Sequence, residues 1–177
     1  MLSARRGFTL IELLVVIGIM AITSVFTLAN YRSFGEDQNL KNALLDVQNQ
    51  LRAAQTNATT SVKCDTQYGA SWMITFINIT SLQLQCTENW SDIWSKKTFQ
   101  PSTNPNISMQ FEPSVNCPDT SRLFSIAFAP LTGKISFLDS AYREKTNCAS
   151  IKIILHNSKT QSNKSLVIEQ GSQIHEQ

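Results

Sequence analysis

Proline is missing from the first 100 residues; all five prolines fall between Pro101 and Pro130. Nothing in that first stretch therefore removes a backbone donor from a helix or forces a kink in one. Histidine is scarce as well: His156 and His175 are the only two, and neither stands near Cys, Asp or Glu at metal-ligand or triad spacing. There is no glycine-rich phosphate loop and no paired-carboxylate motif, so the sequence offers no catalytic constellation, no metal site and no cofactor. No close C-x2-C pair occurs among Cys64, Cys86, Cys117 and Cys148, which argues against structural zinc. Excess charge is also lacking. Of 15 basic and 13 acidic residues, Arg5 and Arg6 supply the whole imbalance, so the body beyond them is neutral. That composition disfavours general nucleic-acid binding driven by counterion release.

What the chain does have is one long apolar run. The 22 residues from Phe8 to Ala29 contain a single ionisable side chain, Glu12. As a helix they span about 33 Å, against a hydrocarbon core of about 30 Å. The run is too long for the core of a secretory signal and no A-x-A follows it. A twin-arginine signal, suggested by Arg5-Arg6-Gly7-Phe8, would leave Glu12 without a role. A transmembrane helix fits the length, and Arg5 and Arg6 place its N-terminus in the cytoplasm with the body outside. A carboxylate inside such a span costs about 2.5–3.5 kcal/mol on insertion scales. The span itself offers no charged partner, so a partner from another chain is expected.

The stretch Gly7-Phe8-Thr9-Leu10-Ile11-Glu12-Leu13 resembles the prepilin motif of type IV pilins and type II secretion pseudopilins. That resemblance implies a seven-residue leader, 1–7, cut by a prepilin peptidase between Gly7 and Phe8, followed by N-methylation of Phe8. It also implies that Glu12 pairs with the Phe8 ammonium of a neighbouring subunit during filament assembly. The partners implied are other pilin or pseudopilin subunits, the peptidase and an inner-membrane assembly platform. The protein would start as a single-pass protein of the cytoplasmic membrane and end in a pilus or pseudopilus. Major pilins often carry a kinking proline in this helix. Its absence here resembles minor pilins and pseudopilins more closely.

Beyond the span, Asn30 to Asp37 is polar and contains Gly35, where a bend or loosened turn is expected. Residues 38–61 then place Leu40, Ala43, Leu44, Val47, Leu51, Ala54 and Ala58 at helical spacing. Such a stripe fits a helix packed on a sheet of its own domain, with a coiled-coil seam as the alternative. From Cys64 onward the pattern becomes short β segments. Strands are expected at Ser71–Asn78, Ser81–Cys86, Ile107–Glu112, Leu123–Ala129, Lys134–Leu138, Ile151–His156 and Ser165–Glu169. The expected fold is α+β: a long N-terminal helix, membrane-spanning over 8–29 and amphipathic over 30–61, packed on an antiparallel β-rich domain over 62–177. Four cysteines beyond a membrane segment suggest two disulfides in an oxidising compartment. Three pairings are open, and the sequence-adjacent one, Cys64–Cys86 with Cys117–Cys148, would close one local unit each.

Two C-terminal elements resemble H-type pseudopilins and FimT-like minor pilins. One is "IAFAPLTGKISF", with Phe128, Pro130 and Gly133; the other is "LVIEQGSQI", with Val167, Gly171 and Ile174. Some FimT-like pilins bind DNA through an arginine-bearing C-terminus, but "GSQIHEQ" has none, so charge does not support nucleic acid as a partner. The segment "NWSDIWSKK", 89–97, reads as a loop anchored by Trp90 and Trp94, with a base-stacking surface as the alternative. A third reading of the whole chain is a membrane-anchored surface protein that never assembles.

Overall fold

In a computed structural model the described residues are 8–64, 68–88, 92–120, 123–171 and 174–176, with side chains omitted over 25–33. A single helix, α1, runs from Leu10 to Thr59. Nine strands follow: β1 Ser71–Asn78, β2 Ser81–Thr87, β3 Ile93–Phe99, β4 Ile107–Pro113, β5 Phe124–Phe128, β6 Ile135–Leu138, β7 Ser150–Asn157, β8 Ser162–Glu169 and β9 Ile174–Glu176. They form two antiparallel sheets, one ordered β3-β2-β1-β5-β6 and the other β4-β7-β8-β9.

The C-terminal half of α1 packs on β1 and β5 of the first sheet and on β7 and β8 of the second. Leu40, Ala43, Leu44, Val47, Leu51, Ala54 and Ala58 are all buried, so the amphipathic stripe is a core face of its own domain. Burying each large aliphatic side chain contributes about 1.5–3 kcal/mol. A glycine in a helix costs only about 1 kcal/mol against alanine, which explains why α1 continues unbroken through Gly35 where a loosened turn was expected. The helix ends at Thr59, and the Thr60 N–H donates to the Thr56 carbonyl at 2.9 Å.

Successive residues of the central strands β1 and β5 are buried on both faces of the first sheet. Along β1, Trp72, Ile74 and Phe76 face α1 and the second sheet, while Met73 belongs to a smaller cluster with Ala127, Leu138 and Tyr142. Thr75 bridges strands on that other side, donating to Gln85 Oε1 at 2.5 Å and pairing with Ser125 Oγ at 2.7 Å. Its hydroxyl is thereby satisfied although it is buried. Cys64–Cys86 ties the segment after α1 to β2, and Cys117–Cys148 ties the β4–β5 connection to the approach to β7. Closing loops of 22 and 31 residues contributes about 3–4 kcal/mol each in the chain-entropy account.

One strand departs from the sequence reading. Residues 93–97 of the segment 89–97, expected as a loop, belong instead to β3, Ile93–Phe99, an edge strand on β2 with a register shift between Leu84 and Gln85. Trp94 and Phe99 pack on the core while Lys96 and Lys97 are exposed. Lysines and a bulge blunt a free edge against pairing with other chains, and the same two features hide its period-two pattern. Trp90 lies outside the described residues. Strand β9 is the second arm of the hairpin to which "LVIEQGSQI" is likened, with Ile174 opposite Ile168, although three residues are too few to show alternation by themselves.

Candidate assembly site

The N-terminal end of α1 is built by Thr9-Leu10-Ile11-Glu12. Thr9 is the N-cap, and its Oγ1 accepts from the Glu12 N–H at 3.3 Å. Glu12 reaches back, and its Oε2 accepts from the Thr9 N–H at 2.9 Å and from the Thr9 hydroxyl at 2.8 Å. This is a capping box, T-x-x-E, which satisfies otherwise orphaned backbone donors at a helix start. The sequence reading gave Glu12 no partner in its own segment. Thr9 supplies two hydrogen bonds, and the T-x-x-E spacing was the signal that would have found them. These hydrogen bonds bring no cation to the carboxylate, and no basic side chain lies between Phe8 and Ala29.

Phe8 stands at the tip, 82% exposed, and Gly7 lies outside the described residues. From Leu10 to Ile22 the large apolar side chains point outward on every side of the helix. A helix apolar all round is stable only inside lipid or among other apolar helices. Its few hydroxyls are turned inward: the Thr23 hydroxyl donates to the Ile19 carbonyl at 3.0 Å, and that of Ser24 to the Met20 carbonyl at 2.6 Å. Among the described residues no helix is long and apolar enough to cross a membrane. The described side chains of this run stop at Ser24, five residues short of Ala29.

A second polar cluster fixes how this protruding half leaves the domain. Glu36, with a side chain 16% exposed, takes Lys159 Nζ on Oε1 at 3.0 Å. Its Oε2 accepts from Asn104 Nδ2 at 2.8 Å and from Asn157 Nδ2 at 3.2 Å. Asn104 before β4, Asn157 at the end of β7 and Lys159 in the β7–β8 turn thus hold α1 at the base of the domain. Lys159, then Asn157 and Asn104, keep the Glu36 carboxyl below its ordinary value of 4.5. A depressed carboxylate contributes stability that is full above its unfolded pKa and is lost as pH falls through the folded value. Glu36→Gln is therefore expected to lower the thermal midpoint at pH 7, and the gap to the parent protein should narrow as the pH falls below the ordinary carboxylate value. A gap that does not change with pH would remove the charge from this account.

The remaining residues singled out in the sequence lie elsewhere. His156 pairs with Asn163 Oδ1 at 2.6 Å on the outward face of the β7–β8 hairpin, and His175 is in β9, opposite Val167. Among the described residues no group of His, Cys, Asp or Glu is arranged to hold a metal. Phe128 is buried at the end of β5. Pro130 and Gly133 belong to the turn into β6. There a Cβ on Gly133 would meet Thr59 Cγ2 at 2.7 Å, so only glycine lets the turn lie this close to α1. Val167 is in β8, and the Gly171 carbonyl accepts from the Ile135 N–H at 3.0 Å, linking the two sheets.

Residues 2–28 match the prokaryotic N-terminal methylation motif family. The fold is similar to the crystal structure of the type IV minor pilin FimU of Pseudomonas aeruginosa, with a TM-score of 0.55 and 13% sequence identity. The alignment covers 81% of this chain and 92% of that one. No curated protein matches the sequence. One chain thus joins an N-terminal methylation motif to a fold similar to that of a type IV minor pilin over most of its length.

Proposed function

We propose that the chain is a minor pilin or pseudopilin, a structural subunit of a type IV pilus or type II secretion filament. It is made as a prepilin, cut between Gly7 and Phe8, methylated on Phe8, and assembled through the helix that begins at Phe8. The observation that carries this reading is the coincidence of the methylation motif with an apolar half-helix whose large apolar side chains, among the described residues, stand exposed outside the domain. Before assembly lipid covers that half-helix; in a filament the helices of neighbouring subunits replace the lipid. Glu12, held toward the helix tip by Thr9, then meets the Phe8 ammonium of a neighbour. Two charges that are costly apart in low dielectric become a pair with satisfied hydrogen bonds. Two disulfides with no free cysteine among the described residues suit a domain exposed outside the cytoplasm.

Mass spectrometry of the mature N-terminus tests this. Methylated Phe8 as the first residue is expected. A chain that reaches the cell surface still carrying residues 1–7 would overturn the reading in favour of a membrane-anchored protein that does not assemble.

A further inference from the structure

The face of the first sheet turned away from α1 carries a cavity of about 390 Å³, walled on one side by the chain that follows β6. We propose that this cavity binds a neutral sugar, one pyranose ring of the gluco configuration. The cavity belongs to the β domain and has no part in the assembly helix, so its use goes beyond the subunit reading above.

The strands supply its floor. Trp72, Ile74 and Phe76 of β1 face α1, so Ser71 and Met73 face the other way. Met73 pairs across the ladder with Ala127 of β5, and Ala127 in turn with Ser136 of β6. Leu138 lies two residues beyond Ser136 on the same face. Ala127 and Leu138 are buried and make the floor apolar. Ser71 and Ser136 bring one hydroxyl each from the two strands that flank β5.

Residues 139–145 supply the wall. Asp139 Oδ1 accepts from the N–H groups of Ala141 at 2.9 Å and Arg143 at 3.0 Å. Its Oδ2 takes Arg143 Nε and Lys145 Nζ, each at 3.4 Å. So braced, the segment holds Tyr142 at a φ of +58°, a left-handed conformation that costs an aromatic residue free energy. The Tyr142 side chain packs on Met73, Ala127 and Leu138. Glu144 forms a bridge with Leu138, and its Oε1 accepts from the Ser136 hydroxyl at 2.6 Å. Oε2 has no hydrogen-bond partner among the described residues.

This lining selects the chemistry of the ligand. The volume sits at the small end of the range for ligand pockets, about 300–1,000 Å³, which suits one or two rings. Among the described residues no basic side chain lines the cavity, so phosphate and carboxylate ligands find no partner. Glu144 can only accept hydrogen bonds, while the two serine hydroxyls donate and accept; the ligand must therefore carry O–H or N–H donors. Apolar surface comes from Ala127 and Leu138 on the sheet side and from Tyr142 on the loop side, so the ligand must also offer apolar faces. A gluco-configured pyranose meets both demands: its hydroxyls are equatorial, at the rim, and C–H groups cover its two faces. An organic ammonium is the competing ligand, since a carboxylate and an aromatic ring attract cations. Glu144 is exposed, where a charge pair contributes little, and Arg143 and Lys145 beside it in sequence offset its field. Hydrogen bonding and apolar contact, not charge, are what the cavity offers.

Saturation-transfer NMR of the full chain, in a detergent whose headgroup contains no sugar, tests this with methyl β-glucoside as the probe. Transfer to the ring C–H protons is expected, with a dissociation constant on the order of 1 mM for so small a ligand. Methyl β-galactoside, which has one axial hydroxyl, should bind at least about fivefold more weakly. Glu144→Ala changes an exposed position, so the thermal midpoint should stay nearly the same while glucoside binding weakens at least about tenfold. Glu144→Gln still accepts hydrogen bonds and should lose no more than about threefold. Tyr142→Gly relieves the left-handed backbone and removes the wall, so transfer should vanish from a chain that stays folded. No transfer from the parent protein to the glucoside would overturn the proposal. So would transfer undiminished by either Glu144→Ala or Tyr142→Gly. Equal binding of the two glycosides would overturn the gluco assignment. Choline bound by the parent and released by Glu144→Gln would assign the cavity to an ammonium ligand instead.

Discussion

Glu12→Ala chains are expected to be cut and methylated normally yet to enter filaments about 100-fold less often, or worse. That factor corresponds to removing one partner of a desolvated ion pair, about 3–5 kcal/mol, at 1.4 kcal/mol for each tenfold. The capping box supplies a rival explanation of the same residue, and the two separate cleanly. A glutamine at position 12 can still accept from the Thr9 N–H and hydroxyl, because capping boxes work with either Glu or Gln. If capping were the whole role of Glu12, Glu12→Gln would assemble like the parent. If the charge meets the Phe8 ammonium, Glu12→Gln should fail about as badly as Glu12→Ala. Thr9→Ala removes the cap and spares the charge, and should cost about 1 kcal/mol, no more than about tenfold. Counting copies per filament, with the N-terminal mass as a control for processing, reads all three variants. Parent-like assembly of Glu12→Gln would return Glu12 to a local structural role.

Phe124→Ala is expected to cost the domain about 3–5 kcal/mol, a large share of the 5–15 kcal/mol typical of natural domains. Phe124 is fully buried. It stacks on Phe76 with ring centroids 4.9 Å apart and meets the edge of Phe111 at 5.0 Å. These contacts join a strand of the first sheet to β4 of the second, so truncation opens a void between sheets that no single side chain can refill. Urea unfolding of the full chain in detergent should show a lower midpoint with an unchanged slope. A loss below about 1 kcal/mol would mean that the two sheets are held together elsewhere.

The stripe from Leu40 to Ala58 was legible because a helix that packs on its own domain must repeat apolar residues every three or four positions. Strands β1, β2, β4, β5, β6, β7 and β8 were legible within a few residues for the corresponding reason, alternation bounded by turn residues. Sequence-neighbour hairpins such as β1–β2 and β7–β8 follow from short connections. The pairing of β1 with β5 and of β4 with β7 does not, because 45 residues lie between Asn78 and Phe124 and nothing local specifies which strands meet across such a distance. Edge strand β3 was lost for a different reason: its exposed lysines and shifted register serve solubility, and they erase the periodicity that marks a strand.

At the site, the sequence by itself determined the chemistry that is local in the chain. The Gly7-Phe8 junction, the Thr9 cap and Glu12 three positions after it all sit within six residues at the start of the apolar run, so the motif and its neighbours are read together. Tertiary structure decided everything that depends on residues far apart. Only folding brings Asn104, Asn157 and Lys159 onto Glu36, across as many as 123 positions, and fixes where the exposed half-helix leaves the domain. Only folding sets Ser71, Ser136 and Glu144 around one cavity. Secondary structure and membrane insertion respond to patterns a few residues long, whereas surfaces and polar clusters are made by chain segments whose encounter no short pattern encodes.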